Sequence, residues 1–154
     1  MMHAVRILDY EPAHQPQFRA LNEEWITRFF VMEAPDYQML DEPEQYIVKP
    51  GGAILMAEYQ GQLVGTCALL HEGHGVFELA KMAVSPAAQG LGIGCALGQA
   101  AIAKARQLGA HQLELLSNSR LGPALALYNK LGFRHVPIPS SPYQRTDVKM
   151  VPDL

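Results

Sequence analysis

Residues 77–97 read FELAKMAVSPAAQGLGIGCAL: an apolar strand, a short turn with three glycines, and the start of an amphipathic helix. The turn sets Gly90, Gly92 and Gly94 where the helix begins, so its backbone N–H groups are unobstructed and the positive end of the helix dipole points outward. Such a helix start suits an anion, and glycine lets a phosphate approach the main chain closely. The bland alternative is a glycine-rich turn needed only for packing. Spacing narrows the choice of phosphate binder. A dinucleotide fingerprint requires G-x-G-x-x-G, but the sixth position from Gly90 is Cys95 and from Gly92 is Leu97. A P-loop requires a lysine after the last glycine, and none follows within the turn.

The pattern that fits is Q-x-x-G-x-G, filled by Gln89, Gly92 and Gly94 directly after a strand ending at Val84. Here the chain resembles the GNAT family of N-acetyltransferases, whose acetyl-CoA pyrophosphate loop has the form [QR]-x-x-G-x-[GA]. Residues 125–133, LALYNKLGF, are similar to that family's later motif, in which a helix carries a tyrosine and ends at Gly-Phe before a strand. The two motifs occur in the family's order and cover residues 77–134. The resemblance implies an α/β fold, a mixed central β-sheet flanked by helices, and acetyl-CoA as co-substrate, with no metal.

Length and composition agree with one domain over residues 1–154. A chain of 154 residues can bury a real core, and 49% hydrophobic with 18% charged content is that of a globular protein. A net charge of -3 gives no basic footprint, which argues against nucleic acid as a partner. Cys67 and Cys95 suggest neither a disulfide framework nor a zinc site, and a reducing, cytoplasmic setting is the simplest expectation. The N-terminus MMHAVRIL lacks the form of a signal peptide, and no run approaches a membrane span.

Along the chain, residues 4–8 suit a first strand. Residues 16–30 follow with Phe18, Leu21, Trp25, Ile26 and Phe29 at helical spacing, a stripe that packs on the sheet. Residues 30–37 form a candidate substrate loop in which Glu33 and Asp36 are possible partners of an amine. Residues 41–48 suit a short helix capped by Asp41. Residues 53–59 and 62–70 form a hairpin about Gln60-Gly61, and a second turn at 71–75 leads into a strand over 76–84. His71, Glu72 and His74 at that tip are read as a solvated turn rather than a metal site. After the loop, Ile93, Leu97, Ala100, Ala101 and Leu108 make an apolar stripe while Lys104 and Arg106 face water. A strand over 111–117 then lies parallel to 76–84 through a right-handed crossover. Pro123 opens a helix that Gly132 ends, and strands are expected over 133–136 and, after a proline-rich connection, 143–151.

Acetyl transfer to an amine requires a held cofactor, a neutral amine, a polarised carbonyl and a proton for the leaving thiolate. The resemblance implies that Gln89, Gly90, Leu91, Gly92, Ile93 and Gly94 cradle the pyrophosphate. It implies that the main chain of Met82, Ala83 and Val84 pairs with the pantetheine arm and points an N–H at the thioester oxygen, an oxyanion-type donor. Tyr128 corresponds to the motif tyrosine beside the cofactor sulfur and is the expected general acid; without the resemblance it is one aromatic on a helix face. Glu78 shares strand parity with Met82 and Val84 and is the candidate base acting through water, the alternative being a solvated or salt-bridged strand residue paired with Lys81 or Arg134. Asn118 follows the parallel strand and either contacts the pantetheine arm or caps its loop. In the 143–151 strand, Tyr143, Arg145, Asp147 and Lys149 share one face, and Arg145 is a candidate anchor for an acceptor carboxylate. The expected function is acetyl-CoA-dependent acetylation of a primary amine of a small molecule by direct attack in a ternary complex. Alternatives are a non-catalytic acyl-CoA sensor and an enzyme acetylating protein termini or lysines. The family's habit of dimerising makes a homodimer an expectation as well.

Overall fold

The computed structural model describes residues 4–138 and 143–154. Among them, seven strands form one mixed sheet in the order β1-β2-β3-β4-β5-β7-β6. The strands are β1 (Arg6–Asp9), β2 (Ala53–Tyr59), β3 (Gln62–Gly73), β4 (Val76–Val84), β5 (Gln112–Ser117), β6 (Arg134–Val136) and β7 (Val148–Val151). All neighbours are antiparallel except β4 and β5, which are parallel as the crossover requires. Four α-helices flank the sheet: α1 (Gln15–Phe29), α2 (Ala34–Asp41), α3 (Ile93–Gln107) and α4 (Gly122–Lys130). No helix among the described residues is long and apolar enough to cross a membrane.

The hairpins form where backbone chirality allows a tight reversal. Gln60 (φ 53°) with Gly61 (φ 77°) and His74 (φ 54°) with Gly75 (φ 75°) both take left-handed angles, the turn whose twist matches the strands it joins. The second turn is therefore shorter than expected, and β3 runs on through His71 and Glu72.

Each sheet face has its own core. Against α3 and α4 lie Leu55, Cys67, Leu69, Phe77, Leu79, Leu113 and Leu115, with Ile93, Leu97, Ala101 and Ala105 from α3. Against α1 and α2 lie Ile54, Met56 and Ala68, with Phe18, Ile26 and Leu40 from the helices. Each large apolar side chain buried in this way stabilises the fold by about 1.5–3 kcal/mol, which fixes both helix pairs to the sheet.

Several local expectations change. Residues 34–37 are helical rather than loop, because Pro35 in the first turn of α2 starts the helix there. Asp41 is the last residue of that helix instead of a cap; Pro43 follows, and Glu44–Val48 form a separate π-helical turn. Leu108 is 41% exposed beyond α3, and Ala105 takes its expected place in the core. Lys104 is half-buried and pairs with Asp9 at 3.2 Å. In α1 the buried stripe holds Asn22 in place of the 38% exposed Phe29. Strand β7 starts only at Val148, because the segment before it turns instead: Thr146 N–H reaches the Tyr143 carbonyl, and Asp147 accepts from Ser119 N–H at 2.7 Å. Residues 139–142 of the proline-rich connection lie outside the described residues.

The change that matters most is in β4. Its pairing with β3 steps from Ala80–Ala68 to Ala83–Thr66, so Lys81 and Met82 together oppose Cys67, and Lys81 has φ 53°. This is a β-bulge, and it reverses the alternation of side chains. Phe77 and Leu79 pack toward α3 before the bulge, and Met82 and Val84 do so after it. The expected parity of Glu78 with Met82 and Val84 is therefore broken: Glu78 and Lys81 lie on the α1–α2 face.

Candidate active site

The bulge coincides with an opening in the sheet. Parallel pairing of β4 with β5 runs from Val76–Gln112 to Leu79–Leu115 and stops, leaving Ala80, Lys81, Met82, Ala83 and Val84 without a β5 partner among the described residues. The main chain of Met82, Ala83 and Val84 thus has no strand beside it on the β5 side among the described residues, although the Val84 carbonyl accepts from Gln89. A 3-10 turn, Pro86–Ala88, and the loop over 89–92 lead from β4 to the N-terminus of α3.

The loop at that helix start has the form of a cradle. Gly90 (φ 83°) and Gly92 (φ 80°) are left-handed, and a Cβ at either would meet open space, the space an anion needs to reach the backbone. Ala96 N–H donates to the Gly92 carbonyl at 3.0 Å and opens the helical ladder, so the amides of Leu91, Gly92, Ile93 and Gly94 lie ahead of the hydrogen-bonded helix. Gln89 folds back to donate to the Val84 carbonyl at 3.3 Å, holding the loop to the end of β4. Gly94 acts differently from the other two. Its φ is ordinary, and a Cβ there would lie 3.0 Å from Leu127; one at Gly98 would lie 2.3 Å from Leu131. These glycines let α4 lie close on α3, so the last glycine of the motif serves packing.

That packing delivers Tyr128. Helix α4 ends in a Schellman cap: Gly132 (φ 96°) donates to the Asn129 carbonyl at 3.1 Å, and Phe133 N–H donates to the Tyr128 carbonyl at 2.9 Å. The accompanying apolar contact is Tyr128 with Phe133, ring centroids 6.0 Å apart. The Tyr-Asn-Lys-Leu-Gly-Phe run is thus a helix stop that pins Tyr128 in the core, 9% exposed. Burial, with a smaller contribution from Cys67, pushes the phenol up to about 12, so it keeps its proton throughout the neutral range.

On the opposite face, an ion network fills the ground between α2, β4 and the 143–147 segment. Asp36, 0% exposed, uses all its acceptor capacity: Oδ1 accepts from Lys81 Nζ (2.6 Å) and Arg145 Nη2 (2.8 Å), Oδ2 from Arg145 Nη1 (2.9 Å) and Glu33 N–H (2.9 Å). Burial opposes this charge, but Arg145 and Lys81 outweigh it and hold the carboxyl down at about 2. Asp36 is therefore sealed and unavailable to an amine. Glu33 accepts from Arg145 Nη1 at 3.1 Å and from Gln144 N–H at 3.3 Å. Arg145, expected as a carboxylate anchor, already holds two carboxylates of its own chain and stacks on Tyr143 at 4.3 Å. Tyr143 in turn accepts from Lys81 at 3.0 Å. Asn118 caps its loop: Oδ1 accepts Arg120 N–H at 2.8 Å, and Nδ2 donates to the Arg145 carbonyl.

Beside this network, Glu78 lies half-buried against Glu114, its register partner on β5. Burial and then the Glu114 carboxylate raise Glu78 to about 7, against the pull of Lys81 and Lys149. Arg134 takes no part; it pairs with Asp153 at 2.6 Å. Sequence reasoning missed Lys81 and Tyr143 as members of the network. The available signal was a lysine inside an otherwise apolar strand, a charge that needs a buried partner. An open groove of about 610 Å³ beside β1, lined among others by Asp9, Tyr10, Glu44 and Lys104, shares none of these residues.

Comparison with known proteins agrees with this geometry. In sequence the chain is 36% identical over 100 residues to the uncharacterized N-acetyltransferase YjgM of Escherichia coli, covering 63% of this chain and 60% of that one. It is 35% identical over 89 residues to a mycothiol acetyltransferase of Arthrobacter sp. strain FB24, covering 54% of this chain and 28% of that protein. The chain thus spans less than two thirds of the length of these relatives. In structure it superposes on a GNAT-family acetyltransferase from Staphylococcus aureus with a TM-score of 0.86 at 18% identity, covering 97% of this chain and 98% of that one. A Bacillus subtilis acetyltransferase in complex with CoA gives a TM-score of 0.75 at 24% identity, covering 98% and 99%. The family model described as acetyltransferase (GNAT) matches residues 18–133, three quarters of the chain and every element that shapes the opening in the sheet, and the chain belongs to that family.

Proposed function

We propose that this chain acetylates a primary amine of a small molecule, using acetyl-CoA, by direct attack within a ternary complex. One observation carries the reading: the free edge of β4 beyond Leu79 lies between an anion-binding helix start on the α3 side and a half-buried carboxylate, Glu78, on the other. Acetyl-CoA supplies the activated acyl group when bound. The amides of the loop formed by Gln89, Gly90, Leu91, Gly92, Ile93 and Gly94 hold its pyrophosphate, and Gly90 and Gly92 leave the room that this needs. The backbone of Met82, Ala83 and Val84 aligns the pantetheine arm, and one of its N–H groups steadies the carbonyl oxygen, a contribution of roughly 3 kcal/mol. Glu78, with a proton affinity matched to neutral pH, takes the amine's proton through water. Tyr128, protonated throughout that range, returns a proton to the departing sulfur. Glu33 and Arg145 shape the acceptor side, and Asn118, at the end of β5 where the sheet opens, borders the pantetheine arm while capping its own loop. Because Asp36, Lys81 and Arg145 close that side with mutual ion pairs, a small amine suits it better than a protein surface.

A mass-detected transfer assay tests the proposal, with acetyl-CoA set against amino acids, polyamines, aminoglycosides and short peptides, beside Tyr128→Phe and Glu78→Gln. Acetylated small amine that falls sharply in both variants is expected. Transfer to peptides alone would overturn the acceptor class, and failure to bind acetyl-CoA would overturn the loop's role.

A further inference from the structure

The charges on the α1–α2 face continue past Glu78. Glu114 of β5 stands opposite it in the parallel pair, and side chains so paired rise from the same face of strands about 5 Å apart. Glu114 is 9% exposed and is tied to Lys149 of β7 at 2.9 Å. Glu72, near the end of β3, also interacts with Glu114. The remaining ionisable groups around Glu78 are Lys81 on its own strand, Asp36 of α2 behind Lys81, and Tyr143 of the segment before β7. His71 belongs to the opposite face, stacked on Phe77 at 4.8 Å. Among the described residues, no ionisable group of α1 acts on Glu78.

We propose that Glu114 is a positioning residue that acts through Glu78: its carboxylate, fixed in place by Lys149, strengthens Glu78 as a base. The inference rests on Glu78 being the base. A carboxylate fixed beside another makes the second hold its proton more tightly, provided the first stays ionised. Glu114 meets that condition: burial works against its charge, but the hydrogen bond from Glu72 and the ammonium of Lys149 outweigh it, and its carboxyl lies below the usual range. Burial, and after it the contact with Glu114, raise Glu72, the opposite direction to Glu114. Lys149 thus holds the neighbouring charge without itself contacting Glu78.

The test is the pH profile of kcat in the wild type, Glu114→Gln and Glu114→Asp, with a ¹³C NMR titration of the Glu78 carboxyl in each. Glu114→Gln is expected to move both the acidic limb and the Glu78 titration to lower pH by roughly one unit, making the variant relatively faster at acidic pH. Glu114→Asp, which keeps the charge, should restore the wild-type limb. Glu114→Met repeats the measurement without a polar group should the amide misplace Lys149. A limb and titration left unmoved by Glu114→Gln, with Glu78→Gln still inactive, would overturn this inference alone. Full activity with an unchanged limb in Glu78→Gln would instead remove the base itself, and this inference with it.

Discussion

The two faces of the sheet around the β4 bulge are built from different chemistry. Toward α3 and α4, the site is backbone and packing: left-handed Gly90 and Gly92, a free strand edge, and Tyr128 held by a helix cap. Toward α1 and α2, it is charge: Asp36, Lys81, Arg145 and Glu33 in one network, with Glu78, Glu114, Lys149 and Glu72 beside it. The first face depends on local conformations that short motifs specify. The second depends on residues from α2, β3, β4, β5, β7 and the 143–147 segment meeting in space. The lesson is that a short motif can mark where a cofactor is held while leaving open what the neighbouring face recognises.

The largest effect expected is on the charged face. Asp36→Asn leaves Lys81 and much of Arg145 without their counter-charge in a buried site, a loss of about 3–5 kcal/mol in urea unfolding. A loss below 1 kcal/mol would show that water reaches the network and that the contrast between faces is weaker than drawn. On the other face, Tyr128→Phe should lower kcat about 100-fold, the low end for a general acid, with little change in melting temperature. Unchanged kcat would reduce Tyr128 to a packing residue.

A third effect separates the two carboxylates by pH. Glu78 is raised from 4.5 to about 7, so its contribution to stability is complete below 4.5 and is lost as pH rises through 7. Asp36 is lowered from 3.8 to about 2, so its contribution is complete above 3.8 and is lost as pH falls through 2. Stability should thus peak between about pH 4 and 5 and decline toward pH 8 by up to about 3 kcal/mol through Glu78, with Glu72, also raised, adding to the decline. Thermal unfolding of Glu78→Gln should flatten that decline, and an equally steep decline in the variant would remove Glu78 as its cause. The smallest effect is at the loop: Gly92→Ala should cost about 1 kcal/mol of stability, because φ 80° is strained for alanine even in open space. Its larger consequence should be weaker binding of acetyl-CoA in calorimetry, since the new methyl group occupies the cradle.

Much of the fold was legible because its signals are local. The strand, turn and helix over 77–97, both tight hairpins and the Gly132 helix stop follow from glycine placement and apolar period, and the parallel pairing of β4 with β5 follows from the crossover. The β4 bulge had only a faint mark in FELAKMAV, where the apolar parity set by Phe77 and Leu79 passes to Met82 and Val84 at Lys81 with no glycine or proline there to announce a bulge; its cost is met by tertiary contacts, the Asp36 pair among them. The helix over 34–41 was marked by Pro35 in its first turn and Pro43 beyond its end, but the acidic run from Asp41 also resembles a helix start. Arg145 read as a charge on a strand face, whereas the turn held by Asp147 and Ser119 directs it to Glu33 and Asp36, contacts more than a hundred residues away in sequence.

The most direct test of the division between faces is a titration of ¹⁵N-labelled protein with acetyl-CoA, followed amide by amide. Saturable shifts are expected at Met82, Ala83 and Val84, through the loop from Gln89 to Gly94, and around Tyr128, with Asp36 and Leu40 of α2 nearly still. Shifts concentrated on α1 and α2, or none at the loop, would contradict the assignment of the α3 face to the cofactor.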